Sequence, residues 1–174
     1  MKVTANLKKV DKGLAKLRQT LATVSRENPH VKVGLLGDVK AARPGEAMTN
    51  AQLGIIHEFG TSDGLIPARP FIFPTFEKNK AQYKAALAKL IAPVFEGGKA
   101  TDLETALKII GQKASADMKT YVTQGAPIQP DNAESTKERK EAKRRKGSKG
   151  VVRTLVDTGR MVGAITYQIV RGKP

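Results

Sequence analysis

The sequence contains no cysteine, which excludes disulfides, thiolate nucleophiles and cysteine-based zinc sites and leaves the compartment unconstrained. Tryptophan is also absent and aromatics make up only 5% of the chain, so filling a core falls to Leu, Ile, Val and Ala. Its two histidines, His30 and His57, lie in unrelated segments. No HExxH occurs to set ligands on one helical face, and no GxGxxG or GxxxxGK[ST] forms a phosphate loop. No apolar run approaches the roughly 20 residues of a membrane-spanning helix, and the N-terminus lacks the charged–apolar–small pattern of a leader. A secreted precursor or a membrane protein is therefore not expected, and no cofactor or metal is implied.

What is present in excess is positive charge: 31 Lys and Arg against 16 Asp and Glu, a formal +15 over 174 residues. That imbalance favours polyanionic partners and opposes compaction by self-repulsion, but says nothing about fold. The length suits a single domain, 1–174, with a respectable core.

The chain is organised around Ile55-Ile56-His57-Glu58-Phe59-Gly60-Thr61 and Ile66-Pro67-Ala68-Arg69-Pro70-Phe71-Ile72. Thr49-Asn50-Ala51-Gln52 matches a capping box that opens a short helix carrying Leu53, Ile56 and Phe59. Gly60 can take positive φ and stop it. Pro67 and Pro70 fix φ on either side of Ala68 and Arg69, which predicts a rigid corner. A strand over Phe71–Phe73 is expected next, with Phe71 and Phe73 on one face and Ile72 on the other.

Around this corner, Leu7, Val10, Leu14, Leu17, Leu21 and Val24 form a heptad-like stripe on a basic N-terminal helix, 1–27. Val31-Lys32-Val33-Gly34-Leu35 alternates as a strand with Val31, Val33 and Leu35 inward. Phe76, Tyr83, Leu87, Leu90 and Val94 predict a helix from about Thr75. Behind a second capping box at Thr101 to Glu104, Leu103, Leu107, Ile110, Ala114, Met118 and Tyr121 predict another, antiparallel to it. Ala126 to Gly150 is poor in large apolar residues and reads as an exposed basic excursion, in which Ser135 and Glu138 could cap a short helix. Asp157 or Thr158 can cap a brief helix at Gly159 to Val162, before a closing strand, Thr166 to Val170. The fold class is α+β: a small antiparallel sheet on two long antiparallel helices, plus the N-terminal amphipathic helix and a long basic loop.

His57-Glu58 is the one neighbouring pair with acid/base potential. Adjacent residues on a helix project about 100° apart, so the two do not face a common substrate. An enzyme using them is the weakest reading, and no catalytic residues are assigned. The basic tract is a better candidate. Lys137, Arg139, Lys140, Lys143, Arg144, Arg145, Lys146 and Lys149 stand against two acids and could neutralise several phosphates. Without interleaved aromatics, contact with DNA would be non-specific and steeply salt-dependent. A stand-alone non-specific nucleic-acid-binding protein is thus one reading of the chain.

In order, Val31 to Leu35, His57-Glu58-Phe59-Gly60-Thr61, Ile66 to Phe71, Ser135-Thr136-Lys137-Glu138-Arg139-Lys140, Leu155 to Met161 and the strand at Tyr167 resemble a family. It is that of the head–tail joining and tail-completion (neck) proteins of tailed bacteriophages, related to the minor tail protein that finishes lambda-type tails. The resemblance runs from about Val31 to Val170. It implies a non-enzymatic virion protein of α+β fold, made in the host cytoplasm. Such a protein forms a homo-oligomeric ring, commonly sixfold with twelvefold layers nearer the portal, between head-connector and tail-tube or tail-terminator proteins. DNA passes through the lumen. On this reading Phe59, Gly60, Pro67, Arg69, Pro70 and Phe71 are the subunit-contact candidates and the eight basic residues of the tract are the DNA-facing ones. Arg69, extended before a proline, could aim its guanidinium at a partner carboxylate.

Overall fold

The computed structural model describes residues 14–15, 18–19, 21–22, 24–36, 48–95, 100–124, 128–142, 154–155 and 159–172. In chain order the elements are β1 (His30–Gly34), α1 (Asn50–Phe59), α2 (Ile72–Phe95), α3 (Ala100–Gln124), α4 (Glu134–Ala142), α5 (Arg160–Ala164) and β2 (Thr166–Val170), with further helical residues between 14 and 27. The fold is α+β, its long helices α2 and α3 packing with a two-stranded antiparallel sheet, β1 beside β2. Among the described residues, no helix is long and apolar enough to cross a membrane. Contacts divide the chain into two compact units: Met1–Lys32 with Asn79–Lys113 and Tyr167–Pro174, and Val33–Lys78 with Ala114–Thr166.

In the first unit, Tyr83, Ala106 and Leu107 are the buried apolar residues among those described. Gly111 of α3 admits the Tyr167 ring so closely that a Cβ there would lie 2.3 Å from a ring carbon. The pairing of chain ends continues past the strands: Gly172 donates its N–H to the Glu27 carbonyl at 2.6 Å, and Arg171 reaches Glu104 at 3.2 Å. Leu14 and Leu21 of the heptad-like stripe are about half exposed (47% and 50%); Leu7, Val10 and Leu17 lie outside the described residues.

In the second unit, Phe71, Met118, Val122, Ile128, Met161 and Ile165 form the core, with Val33, Leu35, Ile72, Tyr121, Leu155 and Val162 against it. The inward Val33 and Leu35 follow the period-two pattern. Helix α1 opens on the expected capping box: Thr49 Oγ1 accepts the Gln52 N–H at 3.1 Å and Gln52 Oε1 accepts the Thr49 N–H at 2.8 Å. The expected strand over Phe71–Phe73 is instead the entry to α2, which starts at Ile72. The stripe on α2 shifts accordingly. Thr75 is buried and bonds back to the Phe71 carbonyl, while Phe76, an expected core residue, is 54% exposed.

Two further expectations change. Ala126 to Gly150 reads as an exposed excursion, yet Ile128 is core; the short helix expected within it is α4, Glu134–Ala142. Ile128 in the core and the bond of Asp131 to Thr154 connect this segment to the rest of the unit, and Asp131 also bonds to Asn132 and Lys137 within it. Helix α4 starts with the Ala133 carbonyl accepting from Thr136 and Lys137 rather than with a Ser135 cap. Helix α5 is led by Gly159 in the left-handed region (φ 72°) without a side-chain cap; Asp157 and Thr158, the expected caps, lie outside the described residues, as do the side chains of Thr101 and Asp102 in the second capping box.

Gly111→Ala should lower stability by roughly 1–3 kcal/mol, because the Tyr167 ring must move. Gly163→Ala, with nothing within 4 Å of the new methyl, should be neutral or slightly stabilising within α5. Urea unfolding of the two variants checks the contrast.

Candidate functional site

The corner is built on Glu58. Its side chain is buried (8% exposed), and its carboxylate accepts the N–H of Phe71 at 2.8 Å, of Ile72 at 2.9 Å and of Phe73 at 2.9 Å. These are the donors a helix leaves unpaired at its start. The next residue, Pro74, has no N–H to satisfy. A carboxylate at the positive end of the α2 dipole gains further. Glu58 therefore caps α2 from another helix, and this is why Phe71–Phe73 enter a helix instead of a strand.

The segment between α1 and α2 is tied to itself. Gly60, at φ 77°, donates to the Ile56 carbonyl at 2.7 Å, and Arg69 donates its N–H to the His57 carbonyl at 2.6 Å. A Cβ at Gly60 would sit 2.8 Å from the Ile66 oxygen and 2.9 Å from the Ala68 nitrogen, so both φ and space demand glycine. Thr61 closes the tip, exchanging bonds with Ile66 through its N–H and Oγ1 at 2.9 Å each. The sequence expectation of a rigid corner matches this bonding.

The contact candidates separate. Phe59 is 76% exposed, whereas Phe71 is fully buried and belongs to the core, so its side chain offers nothing to a neighbour. Arg69 does not reach outward to a carboxylate. Its Nε donates to the Pro130 carbonyl at 2.7 Å and its Nη2 to the Asp131 carbonyl at 3.0 Å, locking the corner to the segment before α4. Gly60, Pro67 and Pro70 act through backbone shape.

Exposed apolar residues lie on the two helices that meet at Glu58. Ile55 and Phe59 share a face of α1 at i,i+4 spacing, and Phe73 and Phe76 share a face of α2 at i,i+3. Leu65 at the loop tip is 81% exposed. Three of the five phenylalanines thus stand largely in solvent, in a chain with few aromatics to spare.

Of the DNA-facing candidates, Lys137 is engaged within the chain, at 3.1 Å from Asp131 and 3.4 Å from Glu134. Arg139 and Lys140 line a cavity of about 590 Å3, together with His57, Arg69, Asn132 and Thr136, and with Leu65, Ile66 and Pro67 as its apolar side. Lys143, Arg144, Arg145, Lys146 and Lys149 lie outside the described residues. Asp131 beside the cavity accepts from the Asn132 N–H, from Lys137 and from the Thr154 hydroxyl; these bonds hold its carboxyl below the ordinary range. Burial holds His57 below its usual value, helped by the positive charges of Arg69 and Lys140. His57 and Glu58 thus serve different surroundings: one ring on a cavity wall, one carboxylate inside a helix start. Among the described residues, no three His, Asp or Glu side chains are grouped to hold a metal ion.

Sequence reasoning passed over the capping role of Glu58 and the part of Asn132 and Thr136 in the cavity. A signal for the first was present: Pro70-Phe71-Ile72-Phe73-Pro74 is followed by a helical pattern but offers no Ser, Thr, Asp or Asn to cap it, so a carboxylate from elsewhere is needed. Nothing local marks the second. No protein-family model matches the chain, and neither does any curated protein or solved structure.

Two outcomes follow from this geometry. Glu58→Ala should cost roughly 3 kcal/mol or more by stranding three donors, and Glu58→Gln about half as much because one oxygen remains to accept; chemical denaturation at neutral pH measures both. His57, depressed below 6.5, binds protons less readily folded than unfolded. Its contribution is therefore complete above pH 6.5 and is lost as pH falls through its lower folded value. Melting curves between about pH 7.5 and about pH 5 should show this decline, and His57→Gln should flatten it; Asp131 titrates in a separate, more acidic window.

Proposed function

We propose that this chain is a structural assembly protein of the tailed-bacteriophage neck or tail end. It forms a homo-oligomeric ring that completes the tail and joins it to the head, with DNA passing through the lumen. The observation that carries the reading is the set of exposed apolar side chains, Ile55, Phe59, Phe73 and Phe76, mounted on two helices whose junction is fixed by a buried carboxylate. Exposed aromatics on a stiff frame are what a protein–protein interface needs, since ordering costs little and each aromatic buries a large area. The family resemblance in the sequence gives the type of assembly, and the charge of +15 suits a lumen that meets DNA without reading its bases. The ring's neighbours would be head-connector and tail-tube or tail-terminator proteins, and its place the virion.

The stand-alone nucleic-acid-binding reading has less support. Lys137 already spends its charge on Asp131 and Glu134, and the exposed aromatics sit on α1 and α2 rather than among the basic residues of α4, where stacking on bases would require them.

A lysate lacking the gene should contain filled heads and finished-looking tails that fail to join, as seen by negative-stain electron microscopy. Wild-type protein should restore joining and Phe59→Asp with Phe73→Asp should not, while its melting temperature stays within a few degrees because both residues are exposed. Normal virions from the knockout would overturn the reading.

A further inference from the structure

The cavity beside the corner has features that the ring reading does not use. Its charged lining is three cations, Arg69, Arg139 and Lys140, against one acid, Asp131, and that acid is already committed to Lys137, Thr154 and the Asn132 N–H. The field inside is therefore positive. Two wall residues carry unused hydrogen-bonding capacity: His57 Nδ1 and Asn132 Nδ2 are shielded from solvent and have no partner. A buried polar group left so costs free energy, and both residues belong to the cavity lining. Asn132 Nδ2 is a donor, and His57 becomes one when it takes up a proton. What these groups want is an oxyanion.

The apolar part of the lining, Leu65, Ile66, Pro67, Ala133 and Leu155, offers no side-chain donor to the surrounding oxygens of a free phosphate. A volume of about 590 Å3 falls in the range of small-molecule sites. It is also of a size to admit a side chain or a chain end, but not a duplex backbone with its bases. We propose that this cavity binds a carboxylate carried on a short apolar body, with Arg139, Lys140 and Asn132 holding the head and Leu65 and Ile66 against the body. The carboxylate comes from a small organic acid or from the end of a polypeptide; the chemistry is the same. The proposal stands independently of the ring reading.

His57 reports on occupancy. Burial and the positive charges of Arg69 and Lys140 disfavour its proton, and Arg139 and Asp131 line the same cavity. A bound carboxylate cancels part of that positive field and makes protonation easier, and by linkage acid strengthens binding. The test follows the two imidazoles of the full-length protein by proton–carbon NMR while hexanoate, acetate, hexanol and inorganic phosphate are titrated in turn. Hexanoate should shift the His57 signals saturably and leave those of His30 unmoved, more tightly at pH 6 than at pH 8. Acetate and hexanol, each lacking one half of the ligand, should bind at least about tenfold more weakly. Arg139→Gln with Lys140→Gln should weaken hexanoate by roughly tenfold while the variant still unfolds in one cooperative transition. A leucine tripeptide, acetylated and with a free C-terminus, then separates the sources: tighter binding than hexanoate, lost on amidation, marks a polypeptide end, and weaker binding marks a small acid. Phosphate binding as tightly as hexanoate, or hexanoate shifts unchanged in the double variant, would overturn the assignment.

Discussion

One buried carboxylate sets the arrangement of the second unit. Glu58 leaves α1 at its last turn and occupies the start of α2, where Phe71, Ile72 and Phe73 present their N–H groups. Burying a charge is costly unless hydrogen bonds repay it, and here three do. The same contact places Phe71 in the core and turns Phe73 outward. Everything that distinguishes the corner, from the glycine stop to the exposed aromatics, is referred to this junction.

Much of the local structure was legible because local rules decided it. The capping box at Thr49 and Gln52, the alternation at Val33 and Leu35, the stop at Gly60 and a short helix within the basic excursion all depend on residues within a few positions of one another. The misreadings share the opposite cause. Phe71 to Phe73 alternate as a strand would, and only a carboxylate 13 to 15 residues earlier in the chain converts them to a helix start. The segment from Ala126 reads as an exposed excursion although Ile128 is core, and Arg69, expected to aim at a partner carboxylate, bonds to carbonyls of its own chain. Each is resolved by the other's neighbourhood, since the Arg69 guanidinium grips Pro130 and Asp131 just beyond Ile128.

The candidate site was legible in part. The corner residues and the basic residues Arg139 and Lys140 were each singled out from local pattern, but that Arg69, Arg139 and Lys140 line one cavity depends on tertiary contacts between the corner and α4. Asn132 and Thr136 carry no pattern that sequence alone would flag. The basic residues also differ in place: Lys137 pairs with Asp131 and Glu134, and Arg139 and Lys140 belong to the cavity lining.

The closed loop between the two helices has a consequence of its own. Thr61 and Ile66 pair at its base, and the spacing of α1 and α2 is held by Glu58 rather than by the loop's length. Residues 62–65 therefore form a tip outside the clamp. Extra residues spliced in at Gly64, whose positive φ already marks a turn, would lengthen the projection carrying Leu65 while the helices beneath stay in register. The corner is in this sense a mount with a replaceable tip. Related chains could alter what they touch by changing the loop alone.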